Sequence, residues 1–369
     1  MAYFNPLRMA YHLDPYPALA QLRREEPVHR SKELNAWVLT AYETCNRVLH
    51  DDDTFSSDPI HAGGEMGASI AATRAAVPLG AAPIMGNSDD PVHARIRTIV
   101  NRAFVPRVIS AIEPRLEDIA GRMLEQLGIP ADDRGTFRAG AQAILAARSE
   151  GPSRIQAASE AHNLMTAMLG RWQQSGDVAE TSVLGTLLHA ADDERLSPDE
   201  MLMTLIHIAS AGNGPTAFAI GNAVLTIGQH REALARLMEG PEHLPSAVEE
   251  ALRFDSPTHM ISRFARRDAD LGGRKIRAGD MAYVVIGAAN RDPDRFPDAD
   301  TFDTARTDNR HLSFGIATHF CLGAPLARLM IATALSAVMG SFGRYRLLEA
   351  QRGGTLLLRG PGKLVIAPE

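Results

Sequence analysis

Cysteine is almost missing from this chain of 369 residues, which carries only Cys45 and Cys321, far apart in sequence. Two such residues make no disulfide framework and fit a reducing compartment. Aromatic residues are scarce at 5%, which argues against an aromatic-girdled barrel or a base-stacking platform. Basic charge is not in excess either. With 38 Lys+Arg against 44 Asp+Glu, the net charge of -6 excludes a generic nucleic-acid binder. The opening residues reach Arg8 and His12 before any apolar run forms, so the expectation is no signal peptide, no membrane anchor and a cytoplasmic protein. Low-complexity tracts, repeats of 20 to 50 residues and linker-like stretches are also lacking, so residues 1–369 are read as one domain.

What is present is 45% hydrophobic residues with 22% charged, enough for a deep core. Apolar periodicity predicts helices near 14–26, 40–50, 90–104, 112–127, 155–174, 198–229, 231–238, 246–254 and 323–341. Short β-branched or aromatic runs predict strands at 36–40, 275–276, 281–286 and 355–358. The class is therefore mainly α with a small β region. At 198–229 the helix start is well specified, because Ser197 can cap, Pro198 suits the first helical position and Glu200 completes a capping box. No Asp, Glu, Lys or Arg occurs from Met201 to His230. His207, Asn213, Asn222, several glycines and Pro215 dilute that run too far for a membrane span, so a buried central helix is expected. Within it Ala211-Gly-Asn-Gly-Pro-Thr216 predicts a distortion at Pro215, which is either slack or room for a ligand.

The chemistry concentrates at His311-Leu-Ser-Phe-Gly-Ile-Ala-Thr-His-Phe-Cys-Leu-Gly-Ala-Pro-Leu-Ala-Arg328, a turn-rich loop running into an Ala-rich helix. A helix N-terminus favours the thiolate of Cys321, making it a soft metal ligand or a nucleophile. Gly315 and Gly323 permit close approach of something flat or bulky. Three other readings stand beside this one: a structural cysteine in a tight turn, a zinc site with His319 and His311, and a Cys–His nucleophile with His319 or His93 as base.

The same window resembles the heme-binding signature of the cytochrome P-450 family, Phe-Gly-x-Gly-x-His-x-Cys-x-Gly followed by Leu-Ala-Arg. It matches at Phe314, Gly315, His319, Cys321, Gly323, Leu326, Ala327 and Arg328. Ala317 replaces the second glycine, which is tolerable if its φ is negative. Further segments resemble the family in order: Asp14-Pro-Tyr-Pro17, Phe55-Ser-Ser57, Asp90-Pro-Val-His-Ala-Arg-Ile-Arg97, Glu250-Ala-Leu-Arg253, Asn290-Arg-Asp-Pro293 and Phe302-Asp-Thr-Ala-Arg306. The resemblance implies a triangular prism of helices with a small β-rich region, binding heme b (iron protoporphyrin IX) through Cys321. His93, Arg97, Arg263 and His319 would neutralise the propionates, with Phe314, Gly315, Gly323 and Gly212 also against the cofactor. Glu250, Arg253 and Arg306 would form the family's structural ion network.

By the same resemblance, the reaction is oxidation of a medium-sized apolar small molecule, of the kind met in secondary metabolism, using O2. Electrons would come from a ferredoxin and ferredoxin reductase, with Arg328, Arg102 and Arg107 as docking candidates. A monomer or a dimer fits. Candidate substrate contacts are Ile84, Met85, Leu205, Ala209, Pro257 to Ile261 (including His259, Met260 and Ile261) and Leu357, with one polar handle at His259, Thr258 or His207. The family's central helix reads Ala-Gly-x-Asp/Glu-Thr-Thr, whereas this chain has Gly214 and Pro215 where the acid and alcohol belong. Proton delivery then falls to Thr216, Asn213, water or the substrate, or else the enzyme takes hydrogen peroxide. A roomy Gly-Pro segment also suits ring closure or coupling. A heme protein that binds ligands without turnover is the reading from another class. A second departure is an internal shortening between Arg115 and Pro130, which raises the expectation of dimerisation.

Overall fold

The computed structural model describes residues 4–105, 128–150, 155–175, 178–180, 182–190 and 196–369. The helix expected at 112–127, Arg107 and most of the shortened segment 115–130 lie outside these. The chain divides into two compact units, Met1–Phe55 with Gly214–Glu369, and Ser56–Asn213.

The first unit holds the β structure. Strands β1 (Val28–Ser31), β2 (Ala36–Leu39), β3 (Phe55–Ser56), β4 (Ile261–Ala265) and β7 (Met281–Val284) form one sheet in the order β1-β2-β7-β4-β3. β2 and β7 run parallel, pairing Trp37 with Ala282 and Leu39 with Val284, while β1–β2 and β4–β7 are antiparallel. Two hairpins complete the β structure among the described residues: β5 (Ala269–Leu271) with β6 (Arg274–Ile276), and β8 (Tyr345–Gly354) with β9 (Arg359–Pro368). The run 355–358, expected as a strand, is instead the turn between β8 and β9. Gly354 at φ +100° redirects the chain, and Thr355 N–H donates to Leu358 C=O at 2.8 Å, closing the turn. The sheet's apolar face meets Cys45, Val48, Leu49, Phe296 and Leu312, all essentially solvent-free. Each such side chain contributes about 1.5–3 kcal/mol of burial, and Leu312 pins the start of the Cys321 loop to this core.

Helix Leu244–Phe254 packs beside helix Ala324–Phe342 in the same unit. By length and composition Ala324–Phe342 is the one described helix apolar enough to cross a membrane. Its Ala324, Leu326, Met330, Ile331 and Leu335 are nevertheless buried in protein. Asp255 ties the β8–β9 hairpin to the N-terminal segment, since its carboxylate meets Arg352 at 2.7 Å, Arg359 at 3.1 Å and the Tyr16 hydroxyl at 2.7 Å. Burial alone would raise the Asp255 pKa, but the two guanidiniums outweigh it and hold the carboxyl below its ordinary range.

The second unit is helical: Gly64–Ala76, Val92–Asn101, Arg134–Glu150, Ile155–Ser175, Val183–Leu188 and the first half of Pro198–Gln229. Ile96, Ile99 and Val100 form the buried stripe of Val92–Asn101, with His93 one turn before. The capping box forms as expected, Glu200 N–H donating to Ser197 Oγ at 3.2 Å and Ser197 N–H to Glu200 Oε2 at 2.9 Å. The segment expected to be distorted stays helical, and Pro198–Gln229 is one helix with Pro215 inside. Pro215 donates no amide, so the Ala211 carbonyl loses its backbone partner.

Candidate heme-thiolate site

The 311–328 window folds as the loop its glycines require. Gly315 N–H donates to Leu312 C=O at 2.9 Å with Gly315 at φ +67°, and Cys321 N–H reaches back to Phe314 C=O at 2.8 Å. Cys321 is half-buried and sits just ahead of helix Ala324–Phe342, whose positive end stabilises a thiolate. Cys45 differs. It is fully buried, its thiol donates to Leu39 C=O at 3.3 Å, and burial pushes its pKa far up, so it stays a thiol.

Ala317 has φ +56°, not the negative angle under which its methyl would be harmless. Restoring glycine relieves a left-handed alanine but returns backbone entropy to the unfolded chain, so Ala317→Gly is expected to stabilise by about 0.5–1 kcal/mol in urea unfolding. A destabilised variant would mean that the methyl is packed favourably.

Two adjacent glutamates fasten the loop. Glu249 accepts from Arg328 Nε at 2.6 Å and Nη2 at 2.9 Å, and His311 Nε2 lies 3.3 Å from its carboxylate. Burial pushes the Glu249 pKa up, but hydrogen bonds from His311 and Arg328, with their charges, outweigh it and hold the carboxyl at about 2. Arg328 also covers the Phe314 ring at 4.5 Å, so the docking cation expected there is engaged within the unit. Arg102 is exposed. Glu250 is fully buried and accepts from Arg253 at 2.7 and 2.8 Å, Asn309 Nδ2 at 3.0 Å and Asp303 N–H at 2.8 Å, with Arg306 at 3.3 Å. Arg253 continues to the carbonyls of Asn290, Ala299 and Thr301. Asn290 in turn holds Ser313 Oγ and Leu312 N–H, so the network ends on the cysteine loop itself. A lone pair spaced i,i+3 is worth only tenths of a kcal/mol; the buried version here is a scaffold.

Within the first unit Arg263 is buried on β4 and His319 is half-buried in the short 3-10 turn Ala317–His319. In the second unit His93 and Arg97 share one face of Val92–Asn101, with His93 Nδ1 at 3.3 Å from Asp90. The central helix carries Gly212, exposed Asn213 and buried Thr216. A Cβ placed on Gly214 would meet nothing within 4 Å, and neither would one on Gly323.

The substrate candidates sort into two groups. In the second unit Met85 and Leu205 are buried, while Ile84 and Ala209 are half-buried. In the first, backbone bonds bring 257–261 beside Leu357, with His259 N–H to Leu357 C=O at 2.8 Å and a bridge from Thr258 to Leu358. Ile261 is half-buried, Leu357 exposed, and Met260 packs with Phe4, Tyr11 and Leu22. His259 is buried, and its Nδ1 has no hydrogen-bond partner among the described residues. Its Nε2 meets the Tyr11 hydroxyl at 2.8 Å, its ring lies edge-on to Tyr11 and Tyr16, and burial lowers its pKa to about 3. Residue spacing gave no signal for this packing, nor for the roles of Glu249 and Asp255.

Among the described residues no three of His, Cys, Asp and Glu converge as metal ligands, and His311 is engaged by Glu249, so the zinc reading has no donor set. One thiolate, with open space at Gly323 beside it, suits a metal that brings its other ligands in a flat macrocycle. The residues therefore fit heme, and fold and loop together define a heme-thiolate protein.

The Cytochrome P450 family profile matches residues 152–344. The 6-deoxyerythronolide B hydroxylase of Saccharopolyspora erythraea is 33% identical, over 90% of this chain and 90% of its own. Among solved structures, the bacillaene polyketide synthase cytochrome P450 PksS of Bacillus subtilis 168 superposes with a TM-score of 0.85 at 29% identity, covering 99% of both chains. CxnD, a cytochrome P450 for C–S bond formation in chuangxinmycin biosynthesis, gives 0.82 at 28% identity over 96% of this chain and 94% of its own. The chain belongs to the cytochrome P450 family. It is a heme-binding oxidoreductase of the monooxygenase type with the family's fold.

Proposed function

We propose that this chain is a single cytoplasmic P450 domain that oxidises a medium-sized apolar small molecule of secondary metabolism, with heme b held by Cys321. The observation carrying this reading is the Cys321 loop: one half-buried sulfur at a helix N-terminus, closed by Cys321 N–H to Phe314 C=O and braced by Glu249 and Glu250. When bound, a thiolate-ligated heme supplies O–O cleavage and oxidation of unactivated carbon. The chain's own part is to position and to exclude. Arg263, His319, His93 and Arg97 neutralise the propionates, Phe314, Gly315, Gly323 and Gly212 accept the flat face, and Ile84, Met85, Leu205, Ala209 and Ile261 present apolar surface to substrate. Electrons come from a ferredoxin and its reductase. Relatives named as a 6-deoxyerythronolide B hydroxylase, a polyketide synthase cytochrome P450 and an enzyme of chuangxinmycin biosynthesis support the substrate class.

A peroxide-driven reaction is the second reading, favoured by one observation. Gly214 and Pro215 supply neither acid nor hydroxyl, leaving Asn213 and Thr216 as the polar side chains of that turn. Hydrogen peroxide arrives already reduced and protonated, so it needs least from them. Heme-loaded protein screened with macrolide, steroid and polyketide probes for a spin-state shift should yield binders. Turnover of a binder with reduced ferredoxin supports the monooxygenase, turnover with peroxide alone supports the second reading, and binding without either product leaves a ligand-binding protein.

A further inference from the structure

His207 stands out on the central helix. The helix is free of Asp, Glu, Lys and Arg from Met201 onward, yet it carries an imidazole one turn before Ala211. Among the described residues the ring has no hydrogen-bond partner. Its environment is dry enough that burial lowers its pKa to about 4, so it is neutral at pH 7 and offers one N–H and one lone pair. The side chain nonetheless keeps solvent-accessible surface, unlike its neighbours Leu205, Ile206 and Ile208. A glycine approaches the ring closely. Gly86, in the 3-10 turn Met85–Asn87, lies against the ring, and a Cβ there would come within 3.2 Å of Nε2. One turn earlier Thr204 is fully buried with its hydroxyl unsatisfied. That turn therefore holds two polar side chains without hydrogen-bond partners among the described residues, where a plain core helix would place apolar ones. An unpaired buried polar group is costly, and a ligand group that pairs with it recovers that penalty.

We infer that His207 is a specificity-determining residue which hydrogen-bonds a single hydroxyl or carbonyl on an otherwise apolar substrate, beside Gly86 and the apolar pair Ile84 and Met85. The inference rests on the heme-thiolate reading above and adds to it the kind of substrate: apolar, with one polar group set at a fixed distance from the reacting carbon. Asp, Glu, Lys and Arg are absent from this stretch of helix, so the helix offers a charged substrate group no counter-charge, whereas a neutral one is matched by the imidazole.

The test uses the heme-loaded full chain and ladders of iron-directed probes: N-alkylimidazoles from butyl to decyl, each paired with its ω-hydroxyl analogue, titrated by the Soret shift. An exposed hydroxyl normally weakens binding to an apolar pocket. At one or two tail lengths the ω-hydroxyl compound should instead bind about three- to tenfold tighter than its alkyl partner. His207→Phe should abolish that preference, read as the ratio of the two affinities at each tail length, and His207→Gln should keep part of it. Thermal melting of each variant separates a folding defect from a lost contact. A uniform hydroxyl penalty at every length, or a preference that survives in His207→Phe, overturns the inference and leaves the heme reading intact. Absence of any Soret shift with all the azoles removes both.

Discussion

Glu250→Gln is expected to destabilise the protein by about 3–5 kcal/mol, because it leaves Arg253 and Arg306 as buried cations without a counter-charge. Both Glu250 and Arg253 have no exposed side-chain surface, so neither water nor salt can replace the missing partner. The loss spreads, since Asp303 N–H and Asn309 Nδ2 depend on the same carboxylate and the network reaches Leu312 and Ser313 at the head of the cysteine loop. At roughly 2 cal/mol/K per residue of unfolding entropy, this corresponds to a fall in melting temperature on the order of 5 °C. Heme should also be released more readily from the folded variant, because the loop carrying Cys321 has lost its brace. Urea unfolding of the heme-loaded protein measures the first effect, and heme transfer to apomyoglobin the second. A change below about 1 kcal/mol would mean that the network is only a surface ion pair in effect.

The second large effect is expected from Gly214→Asp. The position is sterically open, with nothing within 4 Å of an added Cβ, and Asp is no worse than Gly within a helix. A carboxyl there restores the acid missing from the central helix next to Asn213 and Thr216. General acid catalysis by a positioned carboxyl is worth about 10²–10⁴-fold, so turnover with reduced ferredoxin should rise at least about tenfold. Turnover with hydrogen peroxide should change little, because the oxidant already carries its protons. Equal response of both reactions would assign the limiting step elsewhere, to substrate binding or product release.

Local signals made much of this molecule legible. The capping box at Ser197 and Glu200 involves residues three apart and forms as the pattern demands. Every helix expected within the described residues is present, with ends within three residues of those read from apolar periodicity. Helix Gly64–Ala76 escaped notice because it buries no side chain, so no apolar stripe marks it. The run 355–358 misled for the opposite reason: three leucines look like a strand, but their position between two ladders is fixed by pairings such as Gly354 with Arg359. The cysteine loop was readable because its glycines and cysteine lie within ten residues. What surrounds it was not. Glu249 and Arg328 lie 79 positions apart, Tyr16 and Asp255 239, and Tyr11 and His259 248, and no window of sequence shows such partners. Ala317's positive φ likewise follows from loop closure and not from residue type.

Sulfur at position 321 bonded to heme iron is the claim on which the other assignments stand. Reducing the heme-loaded protein under carbon monoxide tests it directly: the parent chain should give the red-shifted band of a thiolate-ligated carbonyl complex, and Cys321→His should move it to the position seen in myoglobin. A myoglobin-like band in the parent chain, or a red-shifted band that persists in Cys321→His, would contradict it.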